Sequence, residues 1–167
     1  MIFNAKKHNF DLYNTLLSLS RNIFFYKNIK LKDSFETRIY LMFFHFSIMM
    51  IVFKEKDKKF NQREYDVFFH NIENNIRELG FGDVAVNKKM KELNKILYDI
   101  LIKLEMDEKT NNTFKINHKL LFKYFSSFKD PKSAKYIDFE SYFINFFHFC
   151  FELPVENMIR ELEYFKN

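Results

Sequence analysis

Only two glycines, Gly80 and Gly82, and two prolines, Pro131 and Pro154, punctuate a chain of 167 residues. A sheet needs a turn every few residues, and Gly and Pro are the residues that make turns cheaply. A chain this poor in both must run in long segments, and long segments that bury one face are helices. The expected fold is therefore all-α: a single multi-helix domain of about seven helices over 1–167. That length is enough for one domain with a real core.

Apolar spacing places the helices. Leu12, Leu16, Leu19 and Ile23 predict a first helix over about 9–27. Ser34 and Thr37 behind Asp33 offer an N-terminal cap for a second helix, reaching about Phe53. It is apolar on nearly every face, which puts it at the centre. The run "KEKDKK" (54–59) reads as a solvated connection. Tyr65, Phe68, Phe69, Ile72, Ile76 and Leu79 form one stripe of a third helix. Met90, Leu93, Leu97, Ile100, Leu101 and Leu104 repeat the stripe after the glycines, which predicts an antiparallel pair across a short connection. Polar 105–117 reads as a loop, followed by a short helix near 118–128 and a Phe-dense helix near 138–151. Pro154 opens a last amphipathic helix with Val155, Met158, Ile159, Leu162 and Phe165.

Several function classes weaken at once. Heavy use of Phe (24 residues), Ile, Lys and Asn with no Trp is what AT-rich codons produce. The net charge of +5 and pI near 9.1 are correspondingly weak arguments for a nucleic-acid partner. Cys150 stands alone, so it reads as a small buried thiol in a reducing compartment. The opening "MIFNAKKHNFDLYN" lacks the apolar core of a secretory signal. The apolar run Ile39–Phe53 is shorter than the ~20 residues a bilayer requires, and His45 sits within it, so a buried helix is expected.

The glycines lie in "ELGFGDVAVNKKM" (78–90). Gly80-x-Gly82-x-x-Ala85 has the spacing of a dinucleotide turn, but such a turn must follow a buried strand, and "NIENNIREL" has helical spacing. The G-x-G-D string also occurs in intramembrane aspartyl proteases, whose two aspartates stand on separate membrane-spanning helices. Asp83 follows a turn among polar neighbours and lacks that setting. His8, His45, His70, His118 and His148 are scattered without metal-ligand spacing. No catalytic residue, metal site or cofactor is expected, and an enzyme acting on an isoprenoid or lipid would lack any acid, base or metal cluster.

A structural account covers the glycines. Gly80 fits the left-handed position just past a helix end, Gly82 a second tight dihedral, and Asp83 or Asn87 a cap for the next helix. Lys88 and Lys89 then fall in that helix's first turn, with Lys91 and Lys95 behind, where cations oppose the macrodipole. A solvated face is the default explanation, and a negatively charged partner is its competitor. Gly80, Gly82, Asp83, Lys88, Lys89 and Lys91 are the candidate partner-binding residues, and Gly80, Gly82 and Asn87 the turn residues. An RNA- or ribosome-binding helical module using this basic helix start is the rival reading, and it predicts steep salt dependence.

"IRELGFGDVAVNKKMKELNKILYDIL" (76–101) also resembles the signature of the ubiquinol–cytochrome c chaperone family. There a helix ending in L-R-E-M-G leads into G-D-x-x-V and a basic K-K-M-K segment. Arg77, Glu78, Gly80, Gly82, Asp83, Val86, Lys88, Lys89, Met90 and Lys91 match it. Upstream, Leu12, Tyr13, Phe25, Tyr26, Asp33, Arg38 and His45 match the family's L-Y, F-Y, D-x-x-x-x-R and hydrophobic helix. The resemblance is strongest over 10–105. Two positions depart from it: Asn87 stands where relatives usually carry proline or glycine, and Asp99 stands where they carry glycine after Tyr98.

What the resemblance implies is a non-enzymatic assembly factor. It would bind newly made cytochrome b and support assembly of the cytochrome bc1 complex, respiratory complex III. A ribosome or anionic membrane surface and a small helical co-chaperone are the further partners it suggests. The implied location is peripheral to a membrane: the cytoplasmic face of a bacterial inner membrane, or the matrix face if organellar.

Overall fold

A computed structural model describes residues 12–104, 106–107 and 113–167. His8, residues 9–11 of the expected first helix, and residues 105 and 108–112 of the polar segment lie outside these. The architecture is all-α, and the described helices wrap one apolar rod.

The first helix is interrupted. α1 spans Leu12–Ser20 and α2 spans Ile23–Lys27, where one continuous helix was expected. Asn22 causes the break: its backbone leaves the helical region and its side chain accepts the Phe24 N–H at 3.0 Å. Asparagine is among the best residues at such an N-cap. The Tyr26 hydroxyl donates to the Ser20 carbonyl at 2.7 Å, fastening α2 across the gap. Apolar spacing continued through this corner, so periodicity alone could not see it.

The rod is α3, Phe35–Glu55. Ser34 caps it, accepting the Thr37 N–H at 3.2 Å, and Arg38 folds back onto Asp33 at 2.5 Å. Every residue from Leu41 to Met49 is buried. At 21 residues α3 is long and apolar enough to cross a membrane by length and composition. In this fold α1, α5 and α7 pack around it instead.

α4 (Gln62–Glu78, capped by Asn61) and α5 (Asp83–Lys103) form a hairpin. Four residues join their near ends, while Tyr65 and Tyr98 line one pocket at the far ends, so the helices run antiparallel. Asp99, which departs from the family pattern, lies inside α5 rather than in a turn. It pairs with Lys103 at 2.6 Å and Lys123 at 2.8 Å and accepts from the Tyr124 hydroxyl. Partial burial works against the charge of Asp99, but these three donors hold its carboxyl well below the usual range. An interhelical clasp thus occupies a position where glycine would contribute nothing.

The polar segment holds a short antiparallel ladder, β1 (Met106–Asp107) and β2 (Thr113–Phe114). Its anchor is Phe114, fully buried and stacked on Phe147 with centroids 4.8 Å apart. α6 covers His118–Tyr124, stopping short of the expected 128, and α7 covers Ala134–Glu152, starting earlier than expected because Ser133 caps it. The expected last helix is a 3-10 turn (Val155–Asn157), the single α turn α8 (Met158–Glu161), and a second 3-10 turn (Leu162–Tyr164). None of the three carries a side-chain cap, and the chain ends by laying Phe165 against Tyr142 and Phe146.

The centre of the core is an aromatic cluster around His45. Its ring meets Phe25, Tyr142, Phe143 and Phe146 edge-on. Nδ1–H donates to the Leu41 carbonyl at 2.6 Å, and the Tyr142 hydroxyl donates to Nε2 at 2.8 Å. That satisfies a neutral imidazole completely. Burial lowers its pKa to about 4, although the Leu41 bond works the other way. Cys150 is a free, buried thiol whose pKa burial pushes up, so it is a packing residue and not an activated nucleophile.

Candidate functional site

The turn between α4 and α5 is built by one glycine more than by two. Gly80 has φ +97, the left-handed region where a side chain is strained, and its N–H bonds the Arg77 carbonyl at 2.9 Å. Gly82 is different: φ −74 and ψ 166 are extended values any residue adopts, so the expected second tight dihedral is absent. Gly82 is instead the N-cap of α5, with its carbonyl accepting the Val86 N–H at 2.9 Å and no side chain to cap the free donors.

Three expectations around the turn are corrected. Asp83 is not the cap but the first helical residue, where its charge suits the macrodipole and pairs with Arg77. Arg77 in turn bonds Glu73 at 3.3 Å, so the charges bracing the turn come from α4. Asn87 is not a turn residue: it lies in the second turn of α5 with its side chain exposed. Because α5 begins at Asp83, Lys88 and Lys89 also lie in its second turn and Lys91 beyond, so the first-turn conflict with the dipole does not arise. Lys89 reaches Glu92 at 3.9 Å, whereas Lys88, Lys91 and Lys95 are exposed and form no ion pair among the described residues. They are a solvated basic edge, available to a partner but not strained without one.

What the sequence reading missed is apolar. Leu79, counted there on the buried stripe, is 58% exposed; Phe81 is 55% and Val84 84% exposed. Three large apolar side chains within six residues stand in solvent at one tip of the molecule. Fully burying each would be worth about 1.5–3 kcal/mol, a gain this fold does not take. A signal existed: Phe81 between two glycines has no neighbouring side chain in the chain to cover it. The site therefore combines an apolar tip with flanking lysines on a hairpin braced by Arg77 and Asp83.

Among the described residues no three His, Cys, Asp or Glu gather as a metal site. His70, His118 and His148 are exposed and far from the turn in sequence, and His45 is sealed in the core. The fold and site define a helical scaffold that presents an apolar tip flanked by lysines. The sequence profile of the ubiquinol–cytochrome C chaperone family matches residues 27–120, more than half of the chain, and the chain belongs to that family. The matched stretch holds α3, α4, the glycine turn and α5. No curated protein and no solved structure matches the chain.

Proposed function

We propose that this protein is a non-enzymatic assembly chaperone that binds newly made cytochrome b through the α4–α5 tip and supports assembly of the bc1 complex. The observation that carries this reading is the exposed Leu79–Phe81–Val84 cluster, which lies inside the family-matched region. A membrane protein caught before insertion exposes apolar helices, and an apolar tip offers one a place to rest. Lys88 and Lys91 beside it suit the anionic lipid surface from which such a client departs. The working location is then peripheral, on the membrane face where cytochrome b is inserted.

A photocrosslinking residue at position 81, in the protein expressed in its native cells, tests this. Recovery of cytochrome b, with weaker recovery from an equivalent probe at the solvent-exposed Lys135 of α7, is the expected result. Equal capture at both positions, or capture without cytochrome b, would remove the reading. The variant Phe81→Ser with Val84→Ser should lower cytochrome b recovery about tenfold or more while leaving the melting temperature unchanged.

A further inference from the structure

The outer face of α5 carries a row of side chains that the tip does not explain. Val84, Lys88, Lys91, Lys95, Tyr98 and Ile102 recur at intervals of four, three, four, three and four residues. At 3.6 residues per turn, all six fall within about 40° of one line along the helix. That line lies opposite the buried Val86, Leu93, Leu97 and Ile100, so it is the ridge of α5 farthest from the core. The ridge is about 27 Å long. Every residue on it is exposed, Tyr98 by 56% and Ile102 by 65%. Its charge is all positive. Lys88, Lys91 and Lys95 form no ion pair among the described residues. The carboxylates of α5 stand off the line and are engaged: Asp83 with Arg77, Glu92 with Lys89, and Asp99 with Lys103, Lys123 and the Tyr124 hydroxyl. An acid-free row of cations between two apolar ends calls for an anionic surface that also accepts apolar side chains.

We infer that this ridge is a membrane-contact surface, with α5 lying along an anionic lipid leaflet. The three lysines meet lipid phosphates, while Val84 at one end and Tyr98 and Ile102 at the other enter between the headgroups. Every side chain on the line has a use there. Lysine stems lie along apolar surface and keep their ammonium groups at the level of the phosphates. Aliphatic side chains and a tyrosine ring suit the headgroup–acyl boundary. Single-stranded nucleic acid would use the lysines and Tyr98 but leave Val84 and Ile102 in water. A partner helix settles into the groove between two ridges, whereas a straight convex ridge meets a plane along its whole length. The inference extends the client reading and takes from it only the peripheral location. Val84 is the one residue that ridge and tip share.

The test floats the full chain, without any client, on phosphatidylcholine vesicles carrying about 30% phosphatidylglycerol. It should bind them, come off as salt rises, and bind vesicles of phosphatidylcholine alone at least about tenfold more weakly. Lys88→Gln with Lys91→Gln and Lys95→Gln should weaken binding about a hundredfold, at roughly fivefold per lysine. The same loss of charge at Lys27, Lys30 and Lys135, exposed lysines on the α2 and α7 side, should weaken it less than about threefold. Ile102→Ser should weaken it about threefold to tenfold with an unchanged melting temperature, because Ile102 lies outside the core. Absence of vesicle binding by the unaltered chain overturns the inference. The ridge then belongs to nucleic acid if single-stranded RNA binds with the same lysine dependence, and to an acidic protein if it does not. Equal losses from the two lysine triples, or no effect of Ile102→Ser, also overturn it. Vesicle binding as described, with no capture of cytochrome b from position 81, removes the client reading and keeps this one.

Discussion

Around His45 a polar side chain is enclosed by rings and fully paired; around Gly80 apolar side chains stand in water. The two regions belong to one chain with one biased composition, yet each inverts what its residue types do by default. The core accepts a histidine only because Leu41 and Tyr142 satisfy both nitrogens. At the tip Phe81 is 55% exposed and does not belong to the hydrophobic core or to the residues packed against it. The difference separates residues the fold needs from residues only a partner can need, and it breaks most clearly under substitution.

The largest effect belongs to the core. Phe143 is fully buried and touches Phe25, Phe44, His45, Phe139 and Tyr142. Phe143→Ala should cost about 3–5 kcal/mol in denaturant unfolding. Phe81→Ala should change stability by less than about 0.5 kcal/mol in the same measurement. A similar loss for both would mean the tip is packed in solution and the contrast is wrong.

Acid should act on the same division. The His45 pKa is about 4 in the folded state against the ordinary 6.5, so between these values the unfolded chain binds a proton that the folded chain does not. Stability is fully present above about pH 6.5 and falls as the pH drops toward 4, by roughly 3 kcal/mol in all. Protonation would also turn Nε2 into a donor facing a Tyr142 hydroxyl that burial keeps protonated. His45→Gln should flatten this dependence, at a lower starting stability, when unfolding free energy is measured from pH 7.5 to 4.5.

How much of this was legible depended on the kind of signal. The buried rod, the amphipathic hairpin and the capping by Ser34 follow from apolar spacing and one side chain, and they appear in the fold with ends shifted by a few residues. The break at Asn22 did not announce itself, because the apolar pattern runs through it and a single side chain–backbone bond decides it. Phe114 was hidden for the opposite reason: an isolated apolar residue in a polar run has no period, and only the face of Phe147 gives it a place. At the candidate site the motif drew attention to the lysines, which backbone geometry then explained once α5 began at Asp83. Exposure of Leu79, Phe81 and Val84 depends on where neighbouring elements are absent, and spacing along the chain carries no such information.

The smallest effects refine the tip itself, by separating its two glycines. An added Cβ would meet nothing within 4 Å at either one, so dihedral angles alone decide. Gly80→Ala must hold a side chain at φ +97 and should cost about 1–2 kcal/mol, reduced somewhat by the stiffer unfolded chain. Gly82→Ser meets no such strain, and its hydroxyl can accept a free N–H of the first turn of α5, so it should gain a few tenths of a kcal/mol. Chemical denaturation of the two variants reads the difference directly. If Gly82→Ser stabilises the chain yet weakens cytochrome b recovery, then its missing side chain serves close approach by the client. If recovery is unchanged, Gly82 is a spacer beside Phe81, and the tip's contact with a partner rests on its three apolar side chains.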